Sequence, residues 1–180
     1  NDKDLGSVKV VSANGGQGLT VTTEPGIYVE PKFSPKGNNI VFRRLTGGYL
    51  LSPEWSLEPG IYLADRKAKT MEKVTEDGFN AHFAADEDRL YFTDYAPDSK
   101  YTELELYSVD LKGRDERTLL KGDKVTEYQL SPDGKWIAYT YQNNAFVAPF
   151  LSTGLQQELD IEDSGLPVAQ VSKRAGEYLN

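Results

Sequence analysis

At 180 residues the chain is long enough to bury an apolar core without help from disulfides or metal ions, and the absence of cysteine rules out a disulfide framework and a thiolate metal site. Lys and Arg number 20 against 28 Asp and Glu, a net charge of −8 whose sign opposes the phosphate backbone and sets nucleic-acid binding aside. No apolar run reaches the length of a membrane span, and Asn1-Asp2-Lys3-Asp4 is too polar to open a signal peptide, so an exported protein would have its leader outside this chain.

Short alternating runs of Val, Ile, Thr, Tyr and Phe, punctuated by Gly, Pro, Asp and Asn, predict an all-β chain. Val8 to Ser12 and Leu19 to Thr22 read as a strand pair. Gly15-Gly16-Gln17-Gly18 between them is a hairpin turn, because it lacks the Lys-Ser/Thr ending of a phosphate loop. A hairpin follows over Pro31 to Phe42, with Ser34-Pro35-Lys36-Gly37 as its turn. The segment Leu45 to Pro59 is long for a connection within such a unit and carries Tyr49, Leu50, Leu51 and Trp55, which suits either folding back to cover its own blade or docking to a neighbouring domain or lining a channel mouth. Strands are then expected at Gly60 to Asp65 and Met71 to Thr75.

The same order recurs. Ala81 to Phe92 and Tyr128 to Tyr139 align without gaps on Pro31 to Phe42, and the anchors Phe33, Phe83 and Leu130 stand 50 and 47 residues apart. Ser131-Pro132-Asp133-Gly134 repeats the turn of Ser34, Pro35 and Gly37, while Ala84-Ala85-Asp86-Glu87 is a degenerate copy. Third strands follow at Glu105 to Asp110 and Ala145 to Phe150. Fourth strands are expected at Arg117 to Leu120 and, in the last unit, at Gln156 to Ile161 or Val168 to Ser172. A four-stranded antiparallel unit repeated at this spacing cannot bury both faces of its own sheet, so its neighbours must stack on it, and radial stacking gives a partial β-propeller. The expected division of the single segment 1–180 is outer strands of a preceding blade at 1–23, blades at 24–76, 77–126 and 127–175, and the first strand of a following blade at 176–180. About three complete blades with half-blades at both ends imply partners that complete them, either missing blades or a copy of the chain itself.

Leu130-Ser131-Pro132-Asp133-Gly134-Lys135-Trp136-Ile137-Ala138-Tyr139 resembles the TolB-type and Tricorn-type propeller repeat, a WD40-like unit in which an apolar residue precedes Ser-Pro-Asp-Gly and an apolar strand. Gly48 to Ser56 with Gly60-Ile61-Tyr62, and later Leu166-Pro167-Val168 with Val171 to Leu179, are similar to bacterial proteins whose propeller precedes an amidohydrolase domain. That resemblance implies a periplasmic or secreted module that scaffolds a hydrolase or gates its substrate. A TolB-like propeller that binds peptide or protein partners is the alternative.

Catalysis by the chain itself is not expected. Metal-dependent hydrolysis requires several histidines and carboxylates, and His82 is the only histidine. Neither a cofactor nor a metal is expected, and no Gly-x-Ser-x-Gly elbow occurs. His82 shares its repeat position with Lys32 and Gln129, which marks a polar site near a channel or a blade junction. Lys32, His82, Gln129, Tyr49 and Trp55 are therefore the candidate channel or partner-contact residues. Asp86-Glu87-Asp88 lacks the spaced ligands of a calcium loop and reads as a solvated turn. Asp94, Asp98, Glu103 and Glu105 form an acidic loop around Tyr95 and Tyr101.

Overall fold

The computed structural model of the chain describes residues 6–46, 58–67, 70–97, 100, 103–123, 125–141, 144–150, 157–158 and 169–170. Fifteen strands and no helix occur among them. A short antiparallel pair, β1 (Lys9–Val10) and β2 (Leu19–Thr20), comes first and lies inside the two strands expected there. The strands β3 (Ile27–Phe33), β4 (Asn39–Leu45), β5 (Gly60–Asp65) and β6 (Met71–Thr75) form an antiparallel sheet in sequence order. Next come β7 (Phe79–Phe83), β8 (Arg89–Tyr95), β9 (Glu103–Asp110) and β10 (Arg117–Asp123), then β11 (Val125–Leu130), β12 (Trp136–Tyr141) and β13 (Asn144–Pro149).

Of the two candidates for the last fourth strand, the second is the one that pairs with β13. This is β15 (Ala169–Gln170), antiparallel, with Phe146 opposite Gln170. The other candidate, β14 (Gln157–Glu158), instead runs parallel to β10 as a fifth strand of the middle sheet. A sequence pattern of alternating residues cannot distinguish these partners, because a two-residue strand satisfies either ladder.

The turns of the three hairpins share one geometry. In each, the residue four positions after the anchor takes a left-handed conformation: Gly37 at φ 71, Glu87 at φ 67 and Gly134 at φ 68. Each donates its N–H to the carbonyl three residues back, at Ser34, Ala84 and Ser131, over 2.8, 3.0 and 2.9 Å. Glycine adopts this conformation without steric cost, so the degenerate middle copy keeps the turn at the expense of a strained Glu87. In the intact copies the serine adds a second tie: its Oγ accepts from Asn39 N at 3.2 Å and from Trp136 N at 3.0 Å.

The chain divides into two compact units, Asn1–Phe92 with Val109–Asp115, and Thr93–Ser108 with Glu116–Asn180. In the first, the sheet β3 to β6 is covered on both faces. One face presents Ile40, Phe42, Tyr62 and Ala64 to Val21, Val8 and Val10 from the β1–β2 region. Phe42 stacks on Tyr62 with centroids 6.3 Å apart and meets Tyr28 edge-on at 5.3 Å. Arg44 is buried at 7 % exposure, with its guanidinium 5.9 Å from both the Tyr28 and Tyr62 rings. Its charge is answered by Glu24 at 3.1 Å. The opposite face carries Val41 and Ile61, both buried, and packs against β7.

The second unit buries Leu104, Leu106, Leu119, Tyr128, Leu130, Ile137, Tyr139 and Ala148. Tyr128 is almost wholly enclosed, and its hydroxyl donates to the Leu104 carbonyl at 3.0 Å. Ile137 is buried as its strand pattern predicts, whereas the adjacent Trp136 is 48 % exposed. Neighbouring residues of a strand point to opposite faces, so an inward Ile137 sends Trp136 outward. Glu105 belongs to the third strand expected from Glu105 to Asp110 and not to an exposed acidic loop. It lies within β9, is buried, and accepts a hydrogen bond from the Tyr107 hydroxyl.

Candidate functional site

The innermost strands of the first unit bring two of the candidate residues together. Lys32 on β3 and His82 on β7 converge on Asn80, a residue that motif reading passed over. The Lys32 ammonium donates to Asn80 Oδ1 at 2.6 Å. His82 Nδ1 lies 3.2 Å from the Asn80 carbonyl oxygen, which can only accept, so Nδ1 carries the ring proton. Nε2 then bears the lone pair, closed off from solvent and with no hydrogen-bond partner among the described residues. Tyr91 covers the imidazole with its ring centroid 5.7 Å away.

Glu30 closes the cluster from the other side. Its Oε2 accepts the main-chain N–H of Asn80 at 2.6 Å, and its Oε1 lies 4.0 Å from the Arg43 guanidinium. Arg43 in turn sits over the Phe79 ring, 5.8 Å from its centroid. Glu30 and Asn80 occupy the same position in successive repeats, three residues before the anchors Phe33 and Phe83. Both adopt left-handed backbone, at φ 56 and 55. At Glu30 this coincides with a register shift between Val29 and Lys32 in the β3–β4 ladder, so the strand swings its carboxylate out of the sheet and toward the following repeat.

The electrostatics follow from enclosure. Burial presses the His82 pKa down to about 4, with the nearby Lys32 charge acting in the same direction and the Asn80 carbonyl opposing it. Lys32 is likewise lowered by burial, against the pull of Glu30. The imidazole is thus neutral at ordinary pH, and the ammonium is already engaged. A metal on Nε2 would have to share this space with the Lys32 charge, and no group of three or more His, Cys, Asp or Glu side chains that could hold a metal occurs among the described residues.

Gln129, the third member of the repeat position, lies in the second unit on an exposed part of β11 and donates from Nε2 to the Leu130 carbonyl at 3.2 Å. Tyr49, Trp55 and segment 176–180 lie outside the described residues. Asp86, Glu87 and Asp88 form a turn, as read from the sequence. The Asp86 and Asp88 side chains share a hydrogen bond that lowers the pKa of the first and raises that of the second. The signal that could have found Glu30 and Asn80 is a polar residue held three positions before every anchor, Glu127 being the third.

No protein-family model matches the sequence, and no curated protein matches it. Solved structures do. TolB from Acinetobacter baumannii superposes with a TM-score of 0.61 at 20% identity, over 94% of this chain and 44% of that one. Oligogalacturonate lyase from Vibrio parahaemolyticus gives 0.62 at 9% identity, over 94% and 43%. The β-propeller domain of the Trilobed protease from Pyrococcus furiosus gives 0.51 at 12% identity, over 79% and 42%. The chain therefore spans less than half the length of each of these proteins. At such identities the likeness establishes the fold alone: a partial β-propeller of antiparallel blades, similar to the propellers of TolB and of the Trilobed protease.

Proposed function

We propose that this chain is a non-catalytic β-propeller module of a larger, exported, amidohydrolase-like protein, where it scaffolds the enzyme and restricts or guides access of substrate. The observation that carries this reading is the use made of the polar side chains on the inner strands. Lys32 and His82, the groups best suited by type to bind or transfer protons, both spend their hydrogen bonds on Asn80. They join one repeat to the next. A general base needs a free lone pair within reach of substrate and a pKa near the working pH, whereas His82 is enclosed and pressed down to about 4. The amidohydrolase context is supported by the resemblance of Gly48 to Ser56 and Val171 to Leu179 to propellers that precede such domains.

A second reading, a periplasmic propeller that binds peptides or proteins, is favoured by the likeness to TolB along 94% of the chain. A lyase reading, which the second neighbour's name suggests, has only His82 to draw on for histidine chemistry. Assays of the purified chain with amide substrates and with oligogalacturonate, each with zinc or manganese supplied, test the non-catalytic reading. It expects no turnover above buffer. Turnover that survives repurification and is lost in His82→Ala would replace it with an enzymatic function.

A further inference from the structure

The link between β1 and β2 holds the one Asn-Gly pair of the sequence, Asn14-Gly15. Every residue from Val11 to Thr20 is exposed. Gly15 and Gly16 take positive φ, 86 and 121, and a Cβ added to either would meet nothing within 4 Å. The Gly15 N–H donates to the Ser12 carbonyl at 2.8 Å, and the Asn14 N–H donates to Ser12 Oγ at 3.2 Å. Both bonds run to one exposed serine beside a ladder of only two residue pairs, so the turn can open locally while the core stays closed. No hydrogen bond holds the Asn14 side-chain amide among the described residues.

The other described asparagines are guarded. After Asn38 the next main-chain nitrogen, that of Asn39, is held by Ser34 Oγ at 3.2 Å. Asn39 lies within β4 and precedes the buried, β-branched Ile40. Asn80 Oδ1 takes the Lys32 ammonium, and the following Ala81 is buried. Asn144 is itself buried in β13. The two Asp-Gly pairs are guarded as well. Asp133 accepts from Ser131 Oγ and from Lys135 N, bonds that hold its carboxyl below the usual range, and an ionised carboxylate resists attack by a nitrogen. Gly78, after Asp77, is packed against the Phe92 ring and cannot swing freely.

We propose that Asn14 is a self-modifying site, at which the main-chain nitrogen of Gly15 attacks Asn14 Cγ. The nitrogen gives up its proton as the N–Cγ bond forms, the Cγ–Nδ2 bond breaks, and ammonia leaves with a proton taken up from solvent. The product is a five-membered imide, reached without hindrance because Gly15 has no Cβ. Solvent water then opens the imide at either of its two carbonyls. One opening gives aspartate at position 14, and the other gives isoaspartate, with the main chain routed through Cβ. Either product adds one negative charge to a chain that already carries −8. The site is independent of the function proposed above.

Tryptic mapping of the whole chain after incubation in mildly alkaline buffer tests this. The peptide Val10–Lys32 holds Asn14 as its sole asparagine. It is expected to gain one mass unit before Gly37–Arg43, with Asn38 and Asn39, and before Val74–Arg89, with Asn80. The rate should rise with pH, and the product should include isoaspartate, read by methyl transfer from S-adenosylmethionine with an isoaspartyl methyltransferase. Asn14→Gln should lose the gain, because closure would need a larger ring. Gly15→Ala should slow it at least about fivefold, because a Cβ then crowds the attacking nitrogen. A gain that comes first in either of the other two peptides would overturn the proposal. So would a gain in Val10–Lys32 that needs prior unfolding in urea, or a product that is aspartate alone, which would mark direct hydrolysis by water.

Discussion

Glu30 Oε2 lies 2.6 Å from the main-chain nitrogen of Asn80, so a carboxylate in one repeat satisfies the backbone of its own counterpart in the next. Both residues are left-handed, a conformation that costs a non-glycine residue about 1 kcal/mol or more. The bond compensates part of that cost at its two ends. Replacement Glu30→Ala is expected to lower unfolding stability by about 1 to 2 kcal/mol, the range for a charged hydrogen bond at a partly exposed site. Glu30→Gln, which keeps an acceptor, should cost less. Urea denaturation of the two variants beside the parent chain reads the difference, and equal stability of all three would show that the contact is incidental.

His82 gives a pH signature that can be assigned without ambiguity, since the chain has a single histidine. Its folded pKa is depressed from 6.5 to about 4. Between those values the unfolded chain binds a proton that the folded chain does not, so stability from this group is present above about 6.5 and is lost as pH falls toward 4. The full effect is on the order of 3 kcal/mol. The imidazole proton resonances should titrate with a midpoint well below 6, and His82→Gln should flatten the fall in stability over that window. A midpoint near the ordinary histidine value would mean that the ring is solvated and the cluster open.

Adjacent residues of β12 should behave oppositely. Ile137 is 1 % exposed and Trp136 is 48 % exposed. Ile137→Ala is expected to cost about 2 to 5 kcal/mol, as a buried aliphatic truncation does, and Trp136→Ala less than about 1 kcal/mol. Chemical denaturation midpoints that reversed this order would place β12 one residue out of register.

Two left-handed glycines separate backbone strain from steric overlap. At Gly37, φ 71, nothing lies near an added Cβ, whereas at Gly113, φ 72, an added Cβ would overlap the Val74 carbonyl. Gly37→Ala should therefore cost only the conformational term, about 1 to 2 kcal/mol, and Gly113→Ala clearly more. Equal losses would show that the turn at Gly113 can move away from β6 freely.

The repeat was legible because its signals are local. Ser131-Pro132-Asp133-Gly134 names its own turn, and the spacing of Phe33, Phe83 and Leu130 needs no knowledge of tertiary structure. The junction cluster was only half legible. Lys32 and His82 stood out as a polar position of the repeat, but their meeting point is the carbonyl and amide of Asn80, reached across about fifty residues and dependent on a left-handed bend that no residue type announces. The exposure of Trp136 is set by a related cause. Strand alternation puts Trp136 on the face opposite Ile137, and whether a face is covered depends on what stacks on it, not on the strand's own residues.

In the proposed function, the polar cluster of the inner strands joins repeats and is not a reaction centre. Equilibrium dialysis of the purified chain against zinc and against manganese, followed by metal analysis, tests it most directly. Lys32 spends its ammonium on Asn80 and adds a positive charge beside His82, so neither metal should be retained in stoichiometric amount by the parent chain or by His82→Ala. One tightly held equivalent of either metal in the parent chain, lost in His82→Ala, would contradict the account and make the buried Nε2 a ligand.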